Sequence, residues 1–445
     1  MTKTHVAVVG AGYSGTLQAI QLLQRGGRVT LIERGPRFAR GAAYGTEQPD
    51  HLLNVRAAGM SAFADAPDHF AAWLAQDEGG RPDSFAQRRT YGRYLEHLLD
   101  AARAKHDGRL QLLRAEVTAI ESVDGGERLR LGDDGCLEAD AAILALGNLP
   151  PEPTRGIRPA ELPPGAYVDN PWAADLAADL SGADTVLLVG TGLTAVDAAL
   201  MLDSAGFRGR ILALSRRGLL PRVHAQSPLT PDPLREQLEP RCTSLLRLVR
   251  AADDWRIGVD SLRPVTQQLW LDAGPAERRR FLRHLRPWWD VHRHRIAPSI
   301  GARIERLQGD GRLDVRSGRI VEAEANGPGA TVRWRPRGAS DERRLEVRRI
   351  VNCTGPQADI ARAGDPLLDA LLASGRIRPD PCRIGIDVDA QCRTLDRTGA
   401  ASATLLTIGP MTRGALWEIV AVPDIRRQVE GLAERLIPQV VEAAR

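Results

Sequence analysis

One pattern occurs twice in this chain and limits what it can become. Val6-Ala7-Val8-Val9 is a continuous apolar, largely β-branched run, the mark of a strand buried on both faces. It breaks at Gly10-Ala11-Gly12-Tyr13-Ser14-Gly15, and an apolar-periodic helix follows through Leu17, Ile20, Leu22 and Leu23. A second strand, Arg28–Glu33, ends on an acid. The copy begins at Thr185–Val189, turns at Gly190-Thr191-Gly192-Leu193-Thr194-Ala195, and continues as a helix over 194–204 and a strand over 211–214. Strand, glycine turn and helix in this order make a βαβ opening. The expected fold class is therefore α/β, with two Rossmann-like dinucleotide-binding domains.

Each glycine has a physical task. Gly10 makes the tight turn, Gly12 lets backbone approach a pyrophosphate, and Gly15 allows helix and strand to pack closely. Ser14 stands in the first helical turn, where free amides and the helix dipole favour phosphate. Glu33 falls where a carboxylate accepts hydrogen bonds from ribose hydroxyls. In the second copy Gly190, Gly192, Leu193 and Thr194 form the turn and helix start. The next strand there ends on Ser215-Arg216-Arg217 instead of an acid. A guanidinium binds a 2′-phosphate that a carboxylate would repel, so Arg216 and Arg217 favour NADPH. Two such sites imply hydride entering from NADPH and held by a flavin, which assigns FAD to the first turn. Residues 141–147 and 349–355 read alike, as strands finishing on Gly147 and Gly355 close to a cofactor.

At 445 residues the chain exceeds one ordinary core. Prolines crowd 149–165, which predicts a boundary there. The expected organisation is a discontinuous FAD domain, 1–160 and 346–445, enclosing an NADPH domain, 161–345, that carries a helical Arg/Trp-rich insertion. Sixty basic residues against 56 acidic ones leave a net charge of +4, and no basic segment interleaves with aromatics as nucleic-acid binding would require. The five cysteines include no CxxC pair, which argues against a disulfide reductase and a zinc site alike. Their sparse, odd number fits a reducing cytoplasm. The residues before the first strand are too few for a secretory leader, and no run is long enough to span a membrane. The expected partners are a small molecule and dioxygen, without nucleic acid, membrane or metal.

The segment His51-Leu52-Leu53-Asn54-Val55-Arg56-Ala57-Ala58-Gly59-Met60-Ser61-Ala62-Phe63-Ala64-Asp65-Ala66-Pro67 is similar to the Asn…Met…Phe-x-Asp-x-Pro stretch of class B flavin monooxygenases. That resemblance implies that Asn54 lies against the isoalloxazine and helps hold a C4a-hydroperoxide, with Met60 also at the cofactor. A closer resemblance, to FAD-dependent urate hydroxylases and aspartate N-monooxygenases, rests on four features. They are Arg40-Gly41-Ala42-Ala43-Tyr44, residues 288–298, residues 409–418 and Ala421-Val422-Pro423-Asp424-Ile425-Arg426. It implies a monooxygenase acting on a small polar or anionic substrate. Ring hydroxylation of urate is the first expectation and N-hydroxylation of an amino acid such as aspartate the second. A flavin-dependent NADPH oxidase or dehydrogenase stays open.

Two departures stand out. The FxGxxxHxxxW motif of Baeyer–Villiger enzymes is missing, and the usual late Gly-Asp beside the flavin is Gly409-Pro410. The stretch 277–295 carries seven arginines and three histidines. Arg278, Arg279 and Arg280 read as a solvated helix face. His292, Arg293 and Arg295, together with Arg413 and Trp417, are the candidate substrate contacts. Arg222 and His224 face either NADPH, substrate or plain loop.

Overall fold

The computed structural model describes residues 4–106, 108–231, 234 and 238–438. The chain opens with β1 (His5–Val9), the helix Tyr13–Gln24 and β2 (Arg28–Glu33). Helices His69–Glu78 and Arg88–Lys105 precede β3 (Leu110–Arg114). A small antiparallel sheet follows, β4 (Val117–Val123), β5 (Gly126–Leu131) and β6 (Cys136–Ala139), before β7 (Ala141–Leu144). Next come β8 (Tyr167–Val168), β9 (Thr185–Val189), the helix Leu193–Ser204 and β10 (Arg210–Ser215). A helical insertion reaches from Cys242 to Arg293, and the helix Pro298–Gly309 closes it. The strands β11 (Leu313–Asn326), β12 (Gly329–Pro336), β13 (Arg343–Val347) and β14 (Arg349–Asn352) complete the second unit. The chain then returns through β15 (Arg393–Leu395), β16 (Ala401–Thr407) and the helix Val422–Leu436.

The first sheet has the order β15-β16-β7-β1-β2-β3 and the second β13-β12-β11-β10-β9-β14-β8. Their centres, β7-β1-β2-β3 and β11-β10-β9-β14, are parallel throughout. Residues 6–9 and 186–189 are buried, as strands covered on both faces require. The α/β expectation of two Rossmann-type units therefore holds.

The two units repeat one another in atomic detail. Gly10 has φ of +101° and Gly190 +123°. A Cβ on Gly10 would overlap the carbonyl oxygen of Ala145, and one on Gly190 that of Cys353. Each turn thus presses on the residue just beyond the neighbouring strand, β7 in one unit and β14 in the other. This equivalence moves both expected boundaries. β14 belongs to the second sheet, so the NADPH-side unit does not end at 345, and Gly355 serves that unit. Residues 156–162 also belong there, since Gly156 packs on Val321 and Ile157 and Leu162 join its core. The chain crosses between units near 149–150 and recrosses near 355–357, where Leu149 bridges Gln357 and Pro150 O accepts from Gln357 N–H. Sequence alone misplaced these passages because β14 looks like any buried strand until its partner is known.

The insertion contains one irregularity with a covalent cause. The helix Pro275–Arg280 passes through a π-helical turn, Phe281–Leu285, into the helix Arg286–Arg293. Pro287 has no N–H to donate one turn back, and Arg286 N–H reaches Phe281 O, five residues away. Among the described residues no helix is long and apolar enough to cross a membrane, and no metal-binding cluster occurs.

Candidate functional site

A cleft of about 1450 Å³ runs along the ends of β1, β2 and β7. Gly10, Gly12, Ser14, Glu33 and Gly147 all line it, so five expected cofactor positions come together. Gly12 and Gly41 pass so closely that a Cβ on Gly41 would stand 2.9 Å from the α-carbon of Gly12. That leaves bare backbone at the cleft floor, the cradle a pyrophosphate needs. Glu33 accepts from Ala11 N–H and Gly35 N–H, both at 2.8 Å, which fixes its carboxylate at the strand end with lone pairs to spare. Arg40 also lines the cleft and is held by Glu96 through two hydrogen bonds of 2.7 and 2.8 Å. Gly15 lies beneath the turn, where a Cβ would overlap Gly10 O. Gly409, with φ of +73°, packs on Ser14 and donates its N–H to Gln428. Tyr44, Val420 and Ile425 also line it, and burial pushes the Tyr44 hydroxyl up to about 12, so it stays protonated. These features fit FAD. Met60 does not join them: it sits 4% exposed in the core beneath, following a short helical turn at Ala57–Gly59.

Asn54 lies on the seam between the two units. Its carbonyl accepts a hydrogen bond from Nε2 of His224 at 3.0 Å, while its side-chain amide makes none with the described residues. Around it the seam is densely tied. Arg56 donates to the carbonyls of Asp83, Ala225 and Gln226, and Arg88 pairs with Asp197 of the second unit at 2.9 Å. Burial pushes the Asp197 carboxyl up to about 6 against the pull of Arg88. His51 and His224 are each pushed down to about 4, chiefly by burial and further by nearby arginines.

Because both rings are neutral when folded, the unfolded chain binds more protons between pH about 6.5 and about 4, and stability must fall with pH across that window. Two such groups set a ceiling of about 2.7 kcal/mol per pH unit, which solvent access will reduce. Thermal melts from pH 7 to 4.5 should show this slope, and His224→Gln should flatten it. An unchanged slope would mean that His224 is protonated in place.

The second turn keeps its expected geometry. Gly192, Leu193 and Thr194 open the helix at an accessible surface, and nothing stands within 4 Å of a Cβ added to Gly192. Arg216 is exposed beyond β10, and Arg217 reaches Arg283 O of the insertion at 3.5 Å. Gly355, with φ of +85° and open space around it, ends the passage after β14. Cys353 lies under the turn, where burial pushes its thiol far up. All five cysteines are free.

The expected substrate wall is largely engaged with itself. Arg295, 4% exposed, holds Asp260 through two hydrogen bonds of 2.9 Å and donates to His292 O. His292 bonds Trp288 O and stands edge-on to Trp255. Arg293 lies 3.1 Å from Glu418. Each of these three expected substrate contacts thus already has an internal partner. Arg295→Ala should therefore lower stability by about 1.5–3 kcal/mol in chemical denaturation, since Asp260 loses its partner but stays partly solvated. A stable variant with only weakened substrate binding would restore the original role.

Glu418 was not among the expected residues, although its segment was. It is buried with φ of +67°, a conformation side chains avoid, and its carboxylate accepts from Trp289 Nε1 at 2.7 Å. Burial works to raise its pKa, but Arg293, His294 and Trp289 outweigh it and hold the carboxyl below its usual range. Arg413 makes no side-chain hydrogen bond among the described residues. Burial and Arg286 push its guanidinium down to about 10. Trp417 is buried in an aromatic stack with Trp270, outside the cleft lining.

Residues 7–149 match a family described as FAD-NAD(P)-binding. No curated protein sequence matches the chain significantly. Among solved structures, the ornithine N-hydroxylase of Kutzneria sp. 744, with reduced FAD, NADP+ and L-ornithine, superposes with a TM-score of 0.66 at 15% identity over 98% of this chain and 99% of that one. The L-lysine 6-monooxygenase of Pseudomonas syringae gives 0.67 at 18% identity with the same coverage. Thioredoxin reductase of T. acidophilum gives 0.55 at 14% identity over 97% and 98%. By fold, then, the chain joins two Rossmann-type units, the first matching an FAD-NAD(P)-binding family over residues 7–149, in the architecture shared by the hydroxylases and the reductase above.

Proposed function

We propose that the protein is an FAD- and NADPH-dependent monooxygenase that hydroxylates a nitrogen of a small molecule. The observation that carries this reading is the pair of glycine turns with opposite strand ends, Glu33 in one unit and Arg216-Arg217 in the other. One end suits a ribose and the other a 2′-phosphate, and no paired thiols stand by to take the electrons onward. FAD, when bound, supplies the electrons from NADPH with which dioxygen is split between substrate and water. The balance is an amine, O₂, NADPH and a proton giving a hydroxylamine, water and NADP+. The chain's own part is to hold the dinucleotides on bare backbone, exclude water at the seam and present the Asn54 amide.

Nitrogen is favoured over the urate ring for two reasons. The fold is shared with ornithine and lysine hydroxylases along nearly the whole chain. In addition, the Arg–His wall expected to grip a urate-like anion is occupied by Asp260 and Glu418. The test is NADPH consumption with a panel of amines, amino acids and purines, with hydroxylamine product and peroxide both quantified. Hydroxylamine formed in step with NADPH supports the reading. Peroxide equal to NADPH with every compound, or hydroxylated purine as sole product, overturns it.

Cofactor choice has its own expected outcome. NADPH should exceed NADH by at least ~10-fold in kcat/KM, the worth of one charge-assisted contact, and replacing Arg216 and Arg217 together with alanine should erase the preference. A preference that survives in the double variant would place the 2′-phosphate elsewhere.

A further inference from the structure

Between the helical insertion and the chain beyond Gly409 lies a pocket of about 490 Å³, the solvent at its open mouth included, lined by neither glycine turn. Leu245, Leu262 and Leu269 form part of its wall, and four aromatic rings form another part. Trp270 stacks on Trp417 with centroids 4.7 Å apart and 26° between planes. Phe281 stands edge-on to Trp417 at 5.3 Å, and Trp289 edge-on to Phe281 at 6.3 Å. Two of the indoles are anchored across the junction. Trp270 Nε1 donates to Gly414 O at 2.9 Å and Trp289 Nε1 to Glu418 at 2.7 Å. The ring box is thus assembled only where the insertion meets the returning chain.

The charged side chains at the pocket are already engaged by neighbours. Arg278 donates to the carbonyls of Trp270, Leu271 and Ala273 and lies over the Trp270 ring at 5.2 Å. Glu277 accepts from Cys242 N–H and pairs with Arg280. Arg241 sits at the exposed rim beside Glu239. A charged ligand would lose its hydration here and would have to draw Arg278 away from three carbonyls, whereas a flat apolar one gains ring faces and leucine side chains.

We infer that this pocket seats an uncharged aromatic or fused-ring group, the body of the substrate whose nitrogen is oxidised. Trp417 stands in the pocket wall, and Val420, three residues further along the chain, lines the flavin-side cleft, so one short segment borders both cavities. The assignment as substrate rests on the monooxygenase reading; the binding itself does not. It also replaces the expectation of a small polar or anionic substrate.

The test is calorimetric titration of the FAD-loaded protein, without NADPH, using indole as probe and L-ornithine and urate as polar comparators. Indole should bind saturably and at least tenfold more tightly than either comparator. Ala273→Phe and Leu245→Trp, which fill the pocket from two walls, should each weaken indole at least tenfold while FAD content stays at the wild-type level. Absence of indole binding, tighter binding of a polar comparator, or unchanged indole affinity in a filled, FAD-loaded variant would overturn the inference. Because no NADPH is present, failure of the monooxygenase reading would leave indole binding untouched. Conversely, turnover of non-aromatic amines without indole binding would remove this inference alone.

Discussion

Gly12→Val should purify folded and colourless. Gly12 has ordinary backbone angles, φ −74° and ψ −166°, and a Cβ there meets nothing closer than the Gly41 α-carbon at 3.6 Å. The backbone therefore tolerates a side chain, but the two methyl groups of valine occupy the space where a pyrophosphate must touch bare amides. The expected loss in FAD affinity is at least ~100-fold, or about 2.7 kcal/mol. Gly15→Val is the contrasting control. Its Cβ would overlap Gly10 O, so the helix cannot seat against β1 and the protein should be insoluble or unfolded. Absorbance of bound flavin and circular dichroism, read together, separate the two. A yellow, fully loaded Gly12→Val protein would mean that the first turn does not hold FAD.

Asn54→Ala carries the second large effect, in the partition of oxygen. The carbonyl that His224 Nε2 holds at 3.0 Å belongs to the backbone and survives the substitution, so the seam stays tied. Only the amide is removed, a group that no described residue engages. FAD content and NADPH-driven flavin reduction should stay near wild type. The ratio of hydroxylated product to peroxide per NADPH should fall by roughly 2–4 kcal/mol of lost support, about 30- to 1000-fold, the usual worth of one positioned donor. A variant with normal flavin content and a wild-type ratio would make Asn54 a seam residue only.

Both glycine turns, their helices and the strand-end acid and arginines were legible in the residues. Their chemistry is local: a buried strand, a turn needing positive φ and a helix start all fall within about a dozen residues. The same locality explains why Gly10 and Gly190 could be assigned identical roles before any contact was known. Met60 shows the opposite case. It lies beside a motif in sequence, yet the short helical turn before it points the side chain into the core.

The arginine-rich stretch shows most clearly where sequence stops being informative. Composition announced seven arginines and three histidines at 277–295, but not which charges were already paired. Arg295 finds Asp260 and Arg293 finds Glu418, partners distant along the chain, and folding alone decides that these cations are internal. The aromatic box is likewise invisible beforehand, since Trp270 and Trp417 come from segments joined only when the chain returns to the first unit.

What the sequence determined by itself was the α/β class, the two dinucleotide turns and their contrasting strand ends, because each is written in short-range steric and charge requirements. What only the tertiary structure decided was the path between units, the seam at Asn54 and the apolar character of the pocket. Those depend on which distant groups meet, and burial then settles whether a charge is spent on a neighbour or left for a ligand.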